Sequence, residues 1–136
     1  MGGAIGPIYD LFFQGIGAGL RQAETINARV LGEAMVLAAQ KIMRIAKAQP
    51  GEKTILDAMQ PASEALLAAV DLPLSDALRM ACLAAERGAE STRDMLAVKG
   101  RARFLKEKSI GYRDAGASSF TLYLEALTDA VIKEEG

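Results

Sequence analysis

Between Lys99 and Arg113 stand six cations, Lys99, Arg101, Arg103, Lys106, Lys108 and Arg113, against one acid, Glu107. The segment therefore carries +5 within a chain of net charge −1, which leaves the remainder at −6. A basic stretch on an acidic body suits an anionic ligand. It runs into Asp114-Ala-Gly-Ala-Ser-Ser, which reads as a helix start, where exposed N–H groups favour phosphate. Two other glycine-containing loops, Gly2-Gly-Ala-Ile-Gly-Pro and Gln49-Pro-Gly-Glu-Lys-Thr, add backbone donors of the same kind. Taken singly, each feature has a plainer explanation. Glycines serve turns, and a basic run is commonly a solvated face. The Pro-Gly-Glu-Lys-Thr stretch lacks the full spacing of a phosphate loop and a preceding strand. The Gly-Ile-Gly-Ala-Gly run at 15–19 reads as close packing or a helix end, since no strand precedes it and its third glycine is misplaced.

Much chemistry is excluded by residue type. The chain has no histidine, which removes histidine acid–base catalysis, Ser-His-Asp triads and histidine metal sites. Cys82 is the single cysteine, so no intrachain disulfide can form; it sits in an apolar helical pattern and is expected to be an inert buried thiol. A reducing cytoplasm fits this usage. Asp10, Asp57, Asp94 and Asp114 are scattered along the chain, without an Asp-x-Asp cluster to hold a cation. Nucleic acid is not expected: only Phe104 and Tyr112 interleave with the cations, and no nucleic-acid motif is present. A membrane span is not expected either. The apolar N-terminus has no basic lead-in, Asp10 and Gln14 interrupt it, and six glycines fall in its first 19 residues.

The elements that must position these loops read as helices. The 136 residues are half hydrophobic, rich in Ala and Leu, and without alternating strand patterns, so one all-α domain over 1–136 is expected. Pro7 suits a helix start, followed by Ile8, Leu11, Phe12 and Ile16 at helical spacing. The clearest helix spans 26–47, with an inward stripe of Leu31, Met35, Ala38, Ile42 and Ile45, widened by Val30, Ala34 and Leu37. Pro50-Gly51 ends it. Thr54 caps the next helix, whose stripe is Ile55, Met59, Ala62, Leu66 and Val70, with Pro61 inside to bend it. Ser75 caps a helix reaching about Val98, with Leu78, Ala81, Ala85 and Leu96 inward. Phe120, Leu124, Leu127 and Val131 mark the last helix. In an antiparallel bundle of about five helices, alternate loops share an end. The loops at 49–54 and 99–116 then meet, together with the Gly2–Pro7 segment, as an anion pocket.

Three segments, GGAIGPIYDLFF, KAQPGEKTILDAMQPA and AAERGAESTRDMLAVKGRARFLKEKSIGYRDAGASS, match in order and spacing a known family. The chain resembles the nucleotide-binding subunit of dihydroxyacetone kinase, often called DhaL, which is also the C-terminal domain of single-chain dihydroxyacetone kinases. The resemblance implies an antiparallel helical barrel with ADP or ATP at one rim. It also implies phosphorylation of dihydroxyacetone or a similar short ketose held by a separate subunit, whose own histidine binds the sugar. Carried over by residue, Arg101 lies near the nucleotide phosphates, as a guanidinium's geometry suits. Asp114 and Gly116 form the turn bordering the nucleotide. Ile55, with Thr54 beside it, takes the place of a Met against the base. Gly2 and Gly3 approach the phosphates at a helix start.

The departures shape the functional expectation. The family holds Mg²⁺ with an acidic loop, D-x-x-x-x-D-x-D followed by G-x-N-M, upstream of the Gly-Gly motif at which this sequence begins. The first two helices of an eight-helix barrel and the metal loop are thus expected to be absent, leaving five or six helices. Mg²⁺ would bind only with ligands from another chain, and no kinase activity is expected of this chain alone. Tyr112 replaces a frequent His, Ala46 a frequent Gly and Ile5 a frequent Ser. The expected partners are a dihydroxyacetone-binding kinase subunit, a second copy or complementing N-terminal segment, and a phosphocarrier protein that rephosphorylates bound ADP. The alternative is a non-catalytic helical interaction or regulatory module derived from the same fold.

Overall fold

The computed structural model describes residues 14–15, 25–97 and 110–135, and these are all-α. Four helices order the described chain: α1 (Ala28–Ile45), α2 (Leu56–Ala68), α3 (Leu74–Ser91) and α4 (Ala115–Glu135), with a 3-10 turn at Thr92–Asp94 extending α3. None of the described helices is long and apolar enough to cross a membrane.

Each boundary has a local cause. The Asn27 side chain accepts the Val30 N–H at 2.9 Å, so α1 starts at Ala28, two residues later than the apolar pattern suggests. Its end is marked by Lys47 in the left-handed region at φ 54°, just before Pro50. α2 carries Pro61 in its interior. That proline cannot donate to the carbonyl of Asp57, four residues earlier. The freed carbonyl faces α3, where a Cβ added to Gly88 would stand 2.0 Å from the Asp57 oxygen. Only glycine admits so close a crossing.

α2 packs against α1, α3 and α4, and α3 against α4. Ala77, Ala81, Ala85 and Ala89 form a fully buried small-residue stripe on α3, with Leu78 beside it. Met35 and Ile42 from α1, Met59 and Leu66 from α2, and Phe120 and Leu124 from α4 fill the core. The buried hydroxyls on α4 are satisfied within the helix: Thr121 donates to the Ala117 carbonyl and Thr128 to that of Leu124. Gly15 is buried against Ala38, whose Cα would lie 2.4 Å from an added Cβ, so this glycine serves close packing as expected.

Several sequence expectations require correction. Ser75 is not a cap: α3 starts directly after Pro73, and Ser75 lies in its first turn. α3 stops at Ser91 instead of running to Val98, because the chain tightens into the 3-10 turn and Met95 is extended. Leu96 therefore leaves the helical register and is exposed. Ile45 and Leu37 are exposed as well; the core-facing stripe of α1 is narrower than its apolar pattern. The expected N-terminal helix with Ile8, Leu11, Phe12 and Ile16 lies outside the described residues, Gln14 and Gly15 being helical.

Candidate functional site

The starts of α2 and α4 meet at one end of the helices. A Cβ added to Gly116 would lie 3.6 Å from the Ile55 nitrogen and 3.7 Å from its Cβ, so the two N-terminal turns are in van der Waals contact. Each start is closed by a carboxylate. Asp57 reaches back to accept the Thr54 N–H at 2.9 Å and the Gly51 N–H at 2.6 Å. Thr54 Oγ1 accepts the Leu56 N–H at 3.2 Å. These bonds fold the 51–54 loop onto α2, but Thr54 is not the cap the sequence suggested: the N-cap position is Ile55, without a side-chain cap, because Thr54 Oγ1 turns to Leu56. At the other start, Asp114 Oδ2 accepts the Ala117 N–H at 2.9 Å. The Asp114 N–H donates to Thr92 Oγ1 at 2.8 Å, and the Thr92 hydroxyl donates to the Ala89 carbonyl. Thr92, fully buried, thereby joins the end of α3 to the start of α4.

Beneath this junction lies Lys53, 3% exposed and at φ 63°. Its ammonium donates to the carbonyls of Met95 and Tyr112. Burial pushes its pKa below the ordinary lysine value, while the charges of Asp114 and Asp94 act the other way. Asp114 is shifted upward, first by burial and then by the charge of Asp57; the Ala117 and Gly116 N–H groups and Lys53 oppose the shift. Two of the aspartates scattered in sequence, Asp94 and Asp114, thus act on one lysine, and Asp57 acts on Asp114. Even so, no group of three acidic, histidine or cysteine residues among the described residues is placed to hold a metal ion.

Four of the sequence-predicted residues are brought together here: Thr54, Ile55, Asp114 and Gly116. Ile55 is 2% exposed and forms part of the apolar core. Gly2, Gly3 and Arg101 lie outside the described residues. The loops at 49–54 and 110–114 share an end, as bundle topology predicts. Of the six cations in the basic segment, Arg113 is the one described. It is engaged by two carboxylates of α3, Glu86 at 3.1 Å and Glu90 at 3.8 Å. Sequence reasoning missed Lys53, Asp57 and Thr92. The Thr-x-x-Asp spacing was a legible signal for Asp57. Nothing in the sequence marks Lys53 as a buried residue or Thr92 as a link between helices.

A family model described as DAK2 domain matches residues 1–129. The chain is 35% identical over 129 residues to the "PEP-dependent dihydroxyacetone kinase, ADP-binding subunit DhaL" of Escherichia coli, covering 93% of this chain and 61% of that protein. A second ADP-binding subunit DhaL, from Listeria innocua, is 35% identical over 93% of this chain and 59% of its own length. An "L-erythrulose 1-kinase" of Mycolicibacterium smegmatis is also 35% identical, over 93% of this chain and 22% of that protein. The chain therefore spans about three fifths of the subunits and about a fifth of the erythrulose kinase.

Proposed function

The chain belongs to the DAK2 domain family, and on that premise we propose that it forms the ADP- or ATP-binding part of a dihydroxyacetone-kinase-type phosphotransferase. The observation that carries this reading is the junction of α2 and α4. It gathers Thr54, Ile55, Asp114 and Gly116 from opposite halves of the sequence at one rim, with the basic segment leading directly into it.

The donors at the rim divide the work. Many N–H groups at the two described helix starts are already taken by Asp57, Thr54 and Asp114. These residues frame the nucleotide, and its phosphates fall to the guanidinium of Arg101 and to the glycine backbone of Gly2 and Gly3. The likeness to two subunits whose names specify ADP binding supports the ligand. A short ketose is the phosphoryl acceptor, dihydroxyacetone or a relative such as erythrulose, held by a separate dihydroxyacetone-binding subunit.

The 136 residues contain no D-x-x-x-x-D-x-D sequence. The described residues offer no group of three ligands for Mg²⁺. The chain alone is expected to bind nucleotide without turnover. Titration calorimetry with ADP, with and without Mg²⁺, tests this reading. Micromolar binding is expected, weakened about tenfold by Arg101→Ala, equivalent to ~1.4 kcal/mol. Absence of binding in both conditions would overturn it in favour of a helical interaction module.

A further inference from the structure

Lys53 combines two unfavourable features. A non-glycine residue at φ 63° carries a steric penalty. A buried ammonium is costly unless it is paired and hydrogen-bonded. Both are retained at a residue whose side chain reaches across the fold. It donates to the carbonyl of Met95 at 3.4 Å and to that of Tyr112, 59 residues away in sequence.

Those two carbonyls bracket the basic connection. Met95 ends the 3-10 turn, and Tyr112 stands two residues before the Asp114 cap of α4. The two ends are also tied to each other. The Gly111 N–H donates to the Arg93 carbonyl at 2.6 Å, and Arg93 Nη1 donates to the Gly111 carbonyl at 3.1 Å. Helix packing brings these joined ends to the start of α2, and Lys53 adds a polar tie between them and the 51–54 loop, which Asp57 folds onto α2. Burial lowers the Lys53 pKa, and the charges of Asp114 and Asp94 oppose that shift. A compact ammonium with three donors suits two carbonyls converging from different directions, where a planar guanidinium would not.

We infer that Lys53 is a positioning residue: its ammonium fastens both ends of the basic connection to the 51–54 loop and so fixes the start of α4 against the start of α2. Its consequence for ligand affinity rests on the nucleotide-binding reading above; its structural role does not.

The test is amide hydrogen exchange on the full chain, wild type against Lys53→Met, with ADP calorimetry on the same proteins. The Gly111, Asp114 and Ala117 amides are expected to exchange at least about tenfold faster in the variant, while Met35 and Ile42 in α1 keep their rates. Unchanged rates at the first three, or an equal rise in α1, would overturn the inference. If Lys53→Met does not fold, the wild type decides by NMR. Nuclear Overhauser contacts from the Lys53 ε-methylene to Met95 and Tyr112 are expected, and their absence overturns it. Calorimetry separates the two ideas. A wild type that ignores ADP defeats the nucleotide reading and leaves exchange to judge Lys53. A wild type that binds, with Lys53→Met binding equally well, overturns the positioning role in binding.

Discussion

Asp114 shows how one side chain can serve structure and pH response together. As the cap of α4 it accepts the Ala117 N–H, and removing such a cap costs about 1 kcal/mol. Burial and the neighbouring Asp57 raise its pKa above the ordinary value of 3.8. Between 3.8 and the raised value the folded chain binds more protons than the unfolded chain. This group's contribution to stability therefore falls as pH rises through that window and is recovered as pH drops. Thermal melts of wild type and Asp114→Asn are expected to diverge as pH is lowered from 7 towards 4, with wild type gaining relative to the variant. A difference in melting temperature that stays constant with pH would contradict the assignment. The cap was legible because Asp ahead of a small-residue helix start is a local signal. The pKa shift was not, because it depends first on burial and then on Asp57, which chain folding brings alongside.

Among the elements, the crossing of α2 and α3 is the most constrained contact. Pro61 frees the Asp57 carbonyl, and Gly88 lets α3 approach it. Gly88→Ala is expected to lower stability by about 1–3 kcal/mol, since the obstructing atom is backbone and the helices must move apart. Gly51 provides the contrast. Nothing stands within 4 Å of an added Cβ there, but its φ of 93° disfavours any side chain. Gly51→Ala is expected to cost about 1 kcal/mol through backbone strain alone. Urea unfolding of the two variants measures both; a Gly88→Ala no less stable than wild type would mean that the crossing is looser than described. The sequence marked Pro61 as special and gave Gly88 no distinction, because helical periodicity reports which face is inward and not how near the next helix lies.

For the molecule as a whole, the buried side chains of the four described helices form one continuous cluster, from Ala28 on α1 to Leu124 on α4. A single core predicts one cooperative urea transition, coincident by circular dichroism and by tyrosine fluorescence. Two separated transitions would show that the helices unfold as independent units. The all-α class, most positions of the helix stripes and the shared end of the 49–54 and 110–114 loops followed from sequence alone. Residue type and 3.6-residue spacing are local properties, and short connections force neighbouring helices to alternate in direction. The family followed as well, since three motifs kept their order and spacing. Only the tertiary structure decided that Leu96 and Ile45 face outward, that Arg113 is held by Glu86 and Glu90, and that Lys53 lies buried under the rim. Each of these depends on which distant groups folding places beside a residue, and burial, pairing and pKa are set by those neighbours.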